Sequence, residues 1–240
     1  MRVLSYNIHK GFSSGNLAYT LEEIRHAIRA TEADIVCLQE VVGENRRHAV
    51  ALERWVDTQF EFLADQVWDY RVYGKNAVYD HGHHGNAILS KVPLLRHSNH
   101  DVIVLPFSQR GILHAVTEAG VHVLCAHLGL LSWERRRQMD ALLRLFRQIP
   151  AAEPLVLAGD FNDWRAESHA RLLASGLQEA MQQGTGAVQK TFPAWWPLLR
   201  MDCIYCRNLQ LVEARRLDGA GWRGISDHTP LYAAFEPNSV

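Results

Sequence analysis

Lysine is scarce in this chain: Lys10, Lys75, Lys91 and Lys190 are the only four, and arginine supplies the rest of the 25 basic residues, set against 26 acidic ones. With a formal net charge of −1 and no lysine-rich insertion, the sequence lacks the broad basic face of proteins that grip duplex nucleic acid regardless of sequence, although a local basic groove stays open. The arginine clusters Arg46-Arg47, Arg135 to Arg137 and Arg215-Arg216 read as solvated faces. No window holds the ~18 uninterrupted apolar residues of a membrane-spanning helix. The start, MRVLSYNIHK, goes directly into strand-like alternation without the pattern of a secretory leader, so the expected address is cytoplasmic, with no integral membrane segment. Cysteine occurs at 37, 125, 203 and 206 only, each time within an apolar run, which predicts reduced core thiols. Cys203 and Cys206 spell C-x-x-C, but no second pair accompanies them, and core packing is expected rather than zinc or redox chemistry. No low-complexity tract or linker divides the 240 residues, so one domain over 1–240 is expected.

What is present is a series of apolar runs with polar residues at their ends. Pro154 to Ala158 (PLVLA) reads as a buried strand, and Gly159 to Asp163 (GDFND) follows where it stops. A strand end there fixes Asp160 and Asn162, while Gly159 allows close approach and Phe161 anchors the turn. Residues 2–8 (RVLSYNI) alternate, with Val3, Ser5 and Asn7 on one face and Leu4, Tyr6 and Ile8 on the other. Thr20 and Glu23 have capping-box spacing for a helix to about Thr31. Ile35 to Leu38 predicts a second buried strand that delivers Gln39 and Glu40 at its C-terminal end, where a lone carboxylate is costly. Leu52, Trp55, Val56, Phe60 and Leu63 predict one long amphipathic helix from Glu44 to about Ala64.

Strands are expected at 69–73, 76–79 and 85–90, with His81, His83 and His84 in a mobile, solvated loop. Segments 110–118 and 121–127 flank Ala119-Gly120 at hairpin spacing, the second ending at His127. Ser132 is placed to cap a helix reaching Ile149, residues 166–175 read as a further helix, and 201–206 and 208–217 as strands. Strand-rich stretches interrupted by single helices argue for mixed sheets in an α/β or α+β sandwich.

If those strands lie side by side, their ends form one rim, and Asn7, Glu40, Asn86, His127, Asp160, Asn162, Asp202, Asp227 and His228 converge on one cleft. Carboxylates gathered there repel one another without a cation, and oxygens of Asp, Glu and Asn suit Mg²⁺ or Mn²⁺ better than Zn²⁺. The histidines can meet an anionic phosphate, and Asp202 can orient His228. This is the inventory for metal-assisted attack of water on a phosphoester. Trp195-Trp196-Pro197, just ahead of Asp202, offers a hydrophobic lip able to stack a base or touch a lipid headgroup region. Two other classes compete. A zinc hydrolase would use His81, His83 and His84, and a non-catalytic scaffold would show broken motifs, whereas the residues named above all stand.

The motifs SYNIHK, LQEV, GNAILS, HLG, GDFND, RMDCIY and SDHTP, in that order over residues 3 to 235, resemble the endonuclease/exonuclease/phosphatase (DNase I-like) superfamily. The resemblance implies a four-layer α/β/β/α sandwich of two mixed sheets with its site at one edge. It implies that Glu40 binds Mg²⁺ or Mn²⁺, with Asp227 as a further contact. Asp160 would activate or position the water, Asn162 hold substrate and water, Asn7 support metal and phosphate, and His127 contact the phosphate. His228, paired with Asp202, would stabilise the transition state or act as acid or base, and the sequence leaves open which of Asp160 and His228 takes the proton. Arg110 resembles an arginine that some members aim at phosphate, and Asn86, Trp195 and Trp196 complete the substrate side. The activity implied is hydrolysis of a small, lipid-linked or nucleic-acid phosphodiester, with an apurinic-type endonuclease as the alternative.

Overall fold

The structure, a computed structural model, describes residues 1–237. In chain order the elements are β1 (Arg2–Asn7), α1 (Leu21–Ala30), β2 (Ile35–Asn45), α2 (Arg46–Ala51), α3 (Gln59–Ala64), β3 (Tyr70–Tyr79), β4 (Gly82–Ser90), β5 (Leu94–Asp101), β6 (Gly111–Thr117) and β7 (His122–His127). They continue as α4 (Ser132–Phe146), β8 (Leu155–Asp160), α5 (Glu167–Ala174), β9 (Gln178–Glu179), α6 (Ala180–Thr185), β10 (Asp202–Arg207), β11 (Leu209–Arg216) and β12 (Leu231–Pro237). The strands form two six-stranded sheets, ordered β11-β12-β1-β2-β4-β3 and β5-β6-β7-β8-β10-β9. Each is mixed: β1–β2 and β7–β8 run parallel, and the other pairs are antiparallel.

The two-residue period of the strands divides the core into three apolar layers. Val3, Ile35, Cys37 and Ile88 of the first sheet meet Leu113, Val123, Cys125, Val156, Ala158 and Ile204 of the second between the sheets. Leu4, Tyr6, Val36 and Leu38 point the other way, onto Leu21, Ile24 and Ile28 of α1 and Leu63 of α3. On the far side, Leu124, Ala126, Leu155 and Leu157 pack under Met139, Leu142 and Phe146 of α4 and Leu172 of α5. The expected four-layer α/β/β/α sandwich is therefore present, and the alternation read in residues 2–8 is the one observed. All four cysteines are buried as free thiols. Cys203 and Cys206 face opposite sides of β10, one toward the helices and one between the sheets, so they cannot chelate together.

Several local expectations are corrected. The single helix over 44–64 is two short ones: Leu52 leaves helical geometry and Thr58 adopts a left-handed φ of 49°. The intervening loop is tied by Asp57 Oδ1, which accepts the Asn45 N–H at 2.7 Å and the Trp55 indole N–H at 2.9 Å. Thr20 makes no capping bond to α1; its hydroxyl donates instead to the Ile225 carbonyl at 2.7 Å. Ser132 lies inside α4, whose N-cap is Leu131, and the helix ends at Phe146 rather than Ile149. His83 and His84 are strand residues of β4, not loop residues, and their ring nitrogens meet the hydroxyls of Tyr73 and Tyr79 at 3.0 and 3.3 Å. β5 and the short α6, capped by Glu179 through the Gln182 N–H, went unread in the sequence.

Candidate active site

The site grows out of the inter-sheet face of the strands. Asn7 follows Val3 and Ser5, His127 follows Val123 and Cys125, Asp160 follows Val156 and Ala158, and Asp202 precedes Ile204 and Cys206; each continues, by the period of two, the row that packs between the sheets. The apolar row thus turns polar where the sandwich opens. Register brings three of these residues abreast, since His127 pairs with Asp160 across β7–β8 and Asp202 pairs with Asp160 across β10–β8. Asn7 reaches over from the other sheet, its amide donating to Asp160 Oδ2 at 3.0 Å. Gly159 is required for the close pairing of β8 with β7: with φ +151°, a Cβ there would collide with the Ala126 carbonyl.

Glu40 arrives by a different route from the one expected. It is not at a strand end, because β2 continues to Asn45. The register of β2 on β4 slips between Leu38 and Val41, with Leu38 opposite Ala87 and Val41 opposite Gly85. Gln39 and Glu40 together therefore oppose Asn86, a β-bulge, and Glu40 takes a left-handed φ of 56°. The bulge breaks strict alternation and brings the Glu40 carboxylate to Lys10 Nζ at 2.8 Å. Burial would raise the Glu40 pKa, but the Lys10 ammonium outweighs it and holds the acid well below the usual carboxylate range.

Asp160 is fully enclosed, with Oδ1 accepting the Asn162 N–H at 3.0 Å. His127 Nε2 and His228 Nε2 stand 3.5 and 3.7 Å from its Oδ2. The other nitrogen of His228, Nδ1, bonds Asp202 Oδ2 at 2.8 Å, so one imidazole spans two buried carboxylates. Burial pushes the Asp160 pKa up to about 7, Asp202 adds to the rise, and His228 opposes it. For His228 burial works downward, but Asp202 and Asp160 prevail and raise it to about 10, so the ring is an imidazolium at neutral pH. His127 is the converse: burial, then Arg110, drive it well below its ordinary value and leave it neutral. Arg110 Nη1 lies 2.8 Å from His127 Nε2.

The remaining expected residues fall as follows. Asn162, at φ 50°, donates its amide to the Leu128 carbonyl at 3.0 Å, locking the turn after β8 to the segment after β7. Asn86 is buried, and its amide is committed to the Gly111 and Cys125 carbonyls of the opposite sheet at 2.9 and 3.3 Å. Asp227 sits beside the His9 ring, with Nδ1 3.7 Å from Oδ1, and its carbonyl accepts the Ala194 N–H at 2.8 Å. That bond holds the 192–199 segment against the centre: Phe192 lies 5.1 Å from the His228 ring, and Trp195 and Trp196 beyond it are exposed. Three neighbours of the site were missed in the sequence, His9, Lys10 and His84. The first two lie inside the SYNIHK motif, directly after the strand end that was recognised, and this is the signal that could have revealed them. Burial, with Lys10 and Arg110, lowers His84 to about 4, so it stands as a neutral imidazole near Glu40.

Asp160, Asp202 and His228 bring ligand atoms within 4.8 Å of one another, a grouping able to approach a metal ion. No helix among the described residues is long and apolar enough to cross a membrane. Comparison with known proteins agrees with this architecture. The uncharacterized protein YbhP of Escherichia coli K12 is 44% identical over 239 residues, covering 97% of this chain and 94% of its own length. Among solved structures, an endonuclease/exonuclease/phosphatase from Beutenbergia cavernae superposes with a TM-score of 0.83 at 19% identity, covering 99% of this chain and 71% of that one. The catalytic domain of human Nocturnin with bound sulfate gives a TM-score of 0.73 at 20% identity, with 98% and 93% coverage. Residues 4–228 match the Endonuclease/Exonuclease/phosphatase family, a family of phosphoesterases and nucleases whose enzymes typically use a divalent metal, and the chain belongs to it.

Proposed function

We propose that this protein is a divalent-metal-dependent phosphodiesterase acting on a small or lipid-linked phosphodiester. The observation that carries the reading is the His228 imidazole held by Asp202 at 2.8 Å and facing Asp160 at 3.7 Å, with Asn7 fixing Asp160 from the other sheet. Asp160, raised to about 7, is poised to take a proton from water near neutral pH. His228, raised to about 10, stays protonated and offers positive charge to a phosphorane-like transition state; the proton therefore goes to Asp160 and the charge comes from His228. Neutral His127 and cationic Arg110 present donors to the non-bridging oxygens, and Asn162 orients the water. Asn86 acts indirectly, by holding the two sheets at the spacing the site needs.

The donor set fits a hard divalent cation. Glu40 is partly buried and ionised, Asp227 is nearby on the SDH motif, and Asp202 Oδ1 is a buried oxygen without a hydrogen-bond partner. Glu40 and Asp227 would hold Mg²⁺ or Mn²⁺. The Asp160, Asp202 and His228 group is better suited to proton transfer, because an imidazolium bonded to a carboxylate has no free lone pair for a metal. When bound, the ion supplies Lewis-acid polarisation of a phosphoryl oxygen. Exposed Trp195 and Trp196 give the cleft an apolar lip rather than a basic one, which favours a small or lipid-linked diester over a long nucleic-acid track.

The test is a hydrolysis panel in Mg²⁺, Mn²⁺ or EDTA, offering bis-p-nitrophenyl phosphate, a monoester analogue, phospholipid vesicles, plain DNA and abasic DNA. We expect metal-dependent turnover of the diester or lipid, with Glu40→Ala and Asp160→Ala slowed by ~10³-fold or more while remaining folded. Full turnover in either variant would overturn the assignment, and cleavage of DNA alone would transfer the protein to the nuclease branch.

A further inference from the structure

The turn after β1 carries two basic residues in succession, and each meets one of the two carboxylates assigned above to the metal. Lys10 Nζ is 2.8 Å from Glu40 Oε2, and His9 Nδ1 is 3.7 Å from Asp227 Oδ1. Both residues have left-handed backbones, with φ 45° for His9 and 58° for Lys10. Consecutive non-glycine residues in that region persist only where the surroundings over-determine them.

The surroundings do so here. The His9 N–H donates to Asn7 Oδ1 at 3.0 Å. Gln59, wholly buried, donates to the Lys10 carbonyl at 2.9 Å and accepts the Val42 N–H at 3.0 Å, two residues past Glu40. One side chain thus ties the turn carrying Lys10 to the bulged strand carrying Glu40. The register of ammonium on carboxylate is built in, not the chance contact of a surface lysine. Yet the ammonium is not sealed away: the Lys10 side chain is 37% exposed, on a flexible four-carbon stem that lets it move a short distance toward a bound anion.

We propose that Lys10 is a phosphate-anchoring residue of this centre, its ammonium sharing the Glu40 carboxylate with the divalent cation and bonding the phosphate once that cation is in place. The proposal rests on the metal-dependent phosphoesterase reading, but its tests require no turnover. Two cations at one carboxylate oppose each other, so the lysine weakens the metal alone and strengthens the metal and phosphate together.

The experiment is isothermal titration of Mn²⁺ into the wild type, Lys10→Met and Lys10→Arg, followed by titration of inorganic phosphate into each Mn²⁺-loaded protein. Lys10→Met is expected to bind Mn²⁺ ~10-fold more tightly and phosphate ~10-fold more weakly, whereas Lys10→Arg stays within ~3-fold of wild type for both. Unchanged or weaker Mn²⁺ binding in Lys10→Met would overturn the proposal, as would unchanged phosphate binding. Lys10→Gln, a second neutral variant, must repeat the Lys10→Met result; a difference between them would assign the effect to packing and reject the anchor. Failure of the phosphoesterase reading itself would show elsewhere, as full turnover in Asp160→Ala.

Discussion

Asp160 carries more of the site than any other side chain, because its two oxygens meet four groups from four segments. The Asn162 N–H takes Oδ1, while Asn7, His127 and His228 surround Oδ2. Its acidity is inseparable from that of His228, which gives a prediction with a definite sign. His228 is raised from 6.5 to about 10 in the folded state, so the stability it contributes is fully present below about pH 6.5 and disappears as pH rises through about 10. Asp202→Asn removes the partner bonded at 2.8 Å. The melting-temperature gap between wild type and Asp202→Asn should therefore be widest near pH 6 and narrow steadily toward pH 10; a constant gap across that range would contradict the raised His228.

At the scale of elements, the site depends on where a strand keeps its period and where it breaks it. Asn7, His127, Asp160 and Asp202 were legible in the sequence because each simply continues an alternating row, so their convergence needed only the assumption that strands pack side by side. Glu40 was legible as a residue but not as a position. A bulge is set by the mismatch between β2 and its partner β4, a pairing of residues 37 to 55 positions apart that no local pattern encodes. The same limit explains the helix misread over 44–64: Leu52, Trp55, Phe60 and Leu63 have helical spacing, but the break is made by the Thr58 backbone and the Asp57 bonds, which are tertiary choices. His84 was missed because HGHHG reads as a loop until β3 pairs with it. An element-scale prediction follows from Gly159. Gly159→Ala would drive a methyl into the Ala126 carbonyl and should destabilise the protein by ~3 kcal/mol or more, measured by urea unfolding. Retention of wild-type stability would show that β7 and β8 can spread without cost.

For the whole molecule, charge and rim decide what kind of substrate the cleft favours. The chain is close to neutral, with a net charge of −1, and the lysine and arginine beside the site, Lys10 and Arg110, are already engaged with Glu40 and His127. Substrate binding should accordingly fall only shallowly with salt, with a log–log slope of about −1 to −2, the value for one or two phosphate contacts. A slope near −5 on any DNA substrate would indicate a long backbone track and reverse the preference for a small diester. Replacing Trp195 and Trp196 together by Ala should raise KM for an apolar or lipid diester several-fold while leaving stability almost unchanged, since both rings are exposed.

The four buried thiols give the sandwich its own internal clock. Cys37, Cys125 and Cys206 are shut between the sheets, and Cys203 lies under the α4 and α5 layer. An alkylating reagent can reach none of them until the corresponding layers part, so the pace of iodoacetamide modification reads how often each gap opens. A cation or phosphate that closes the Glu40 rim would slow that pace at Cys37 and Cys125, whose strands carry Glu40 and His127. Binding could then be timed by mass spectrometry without any knowledge of the substrate.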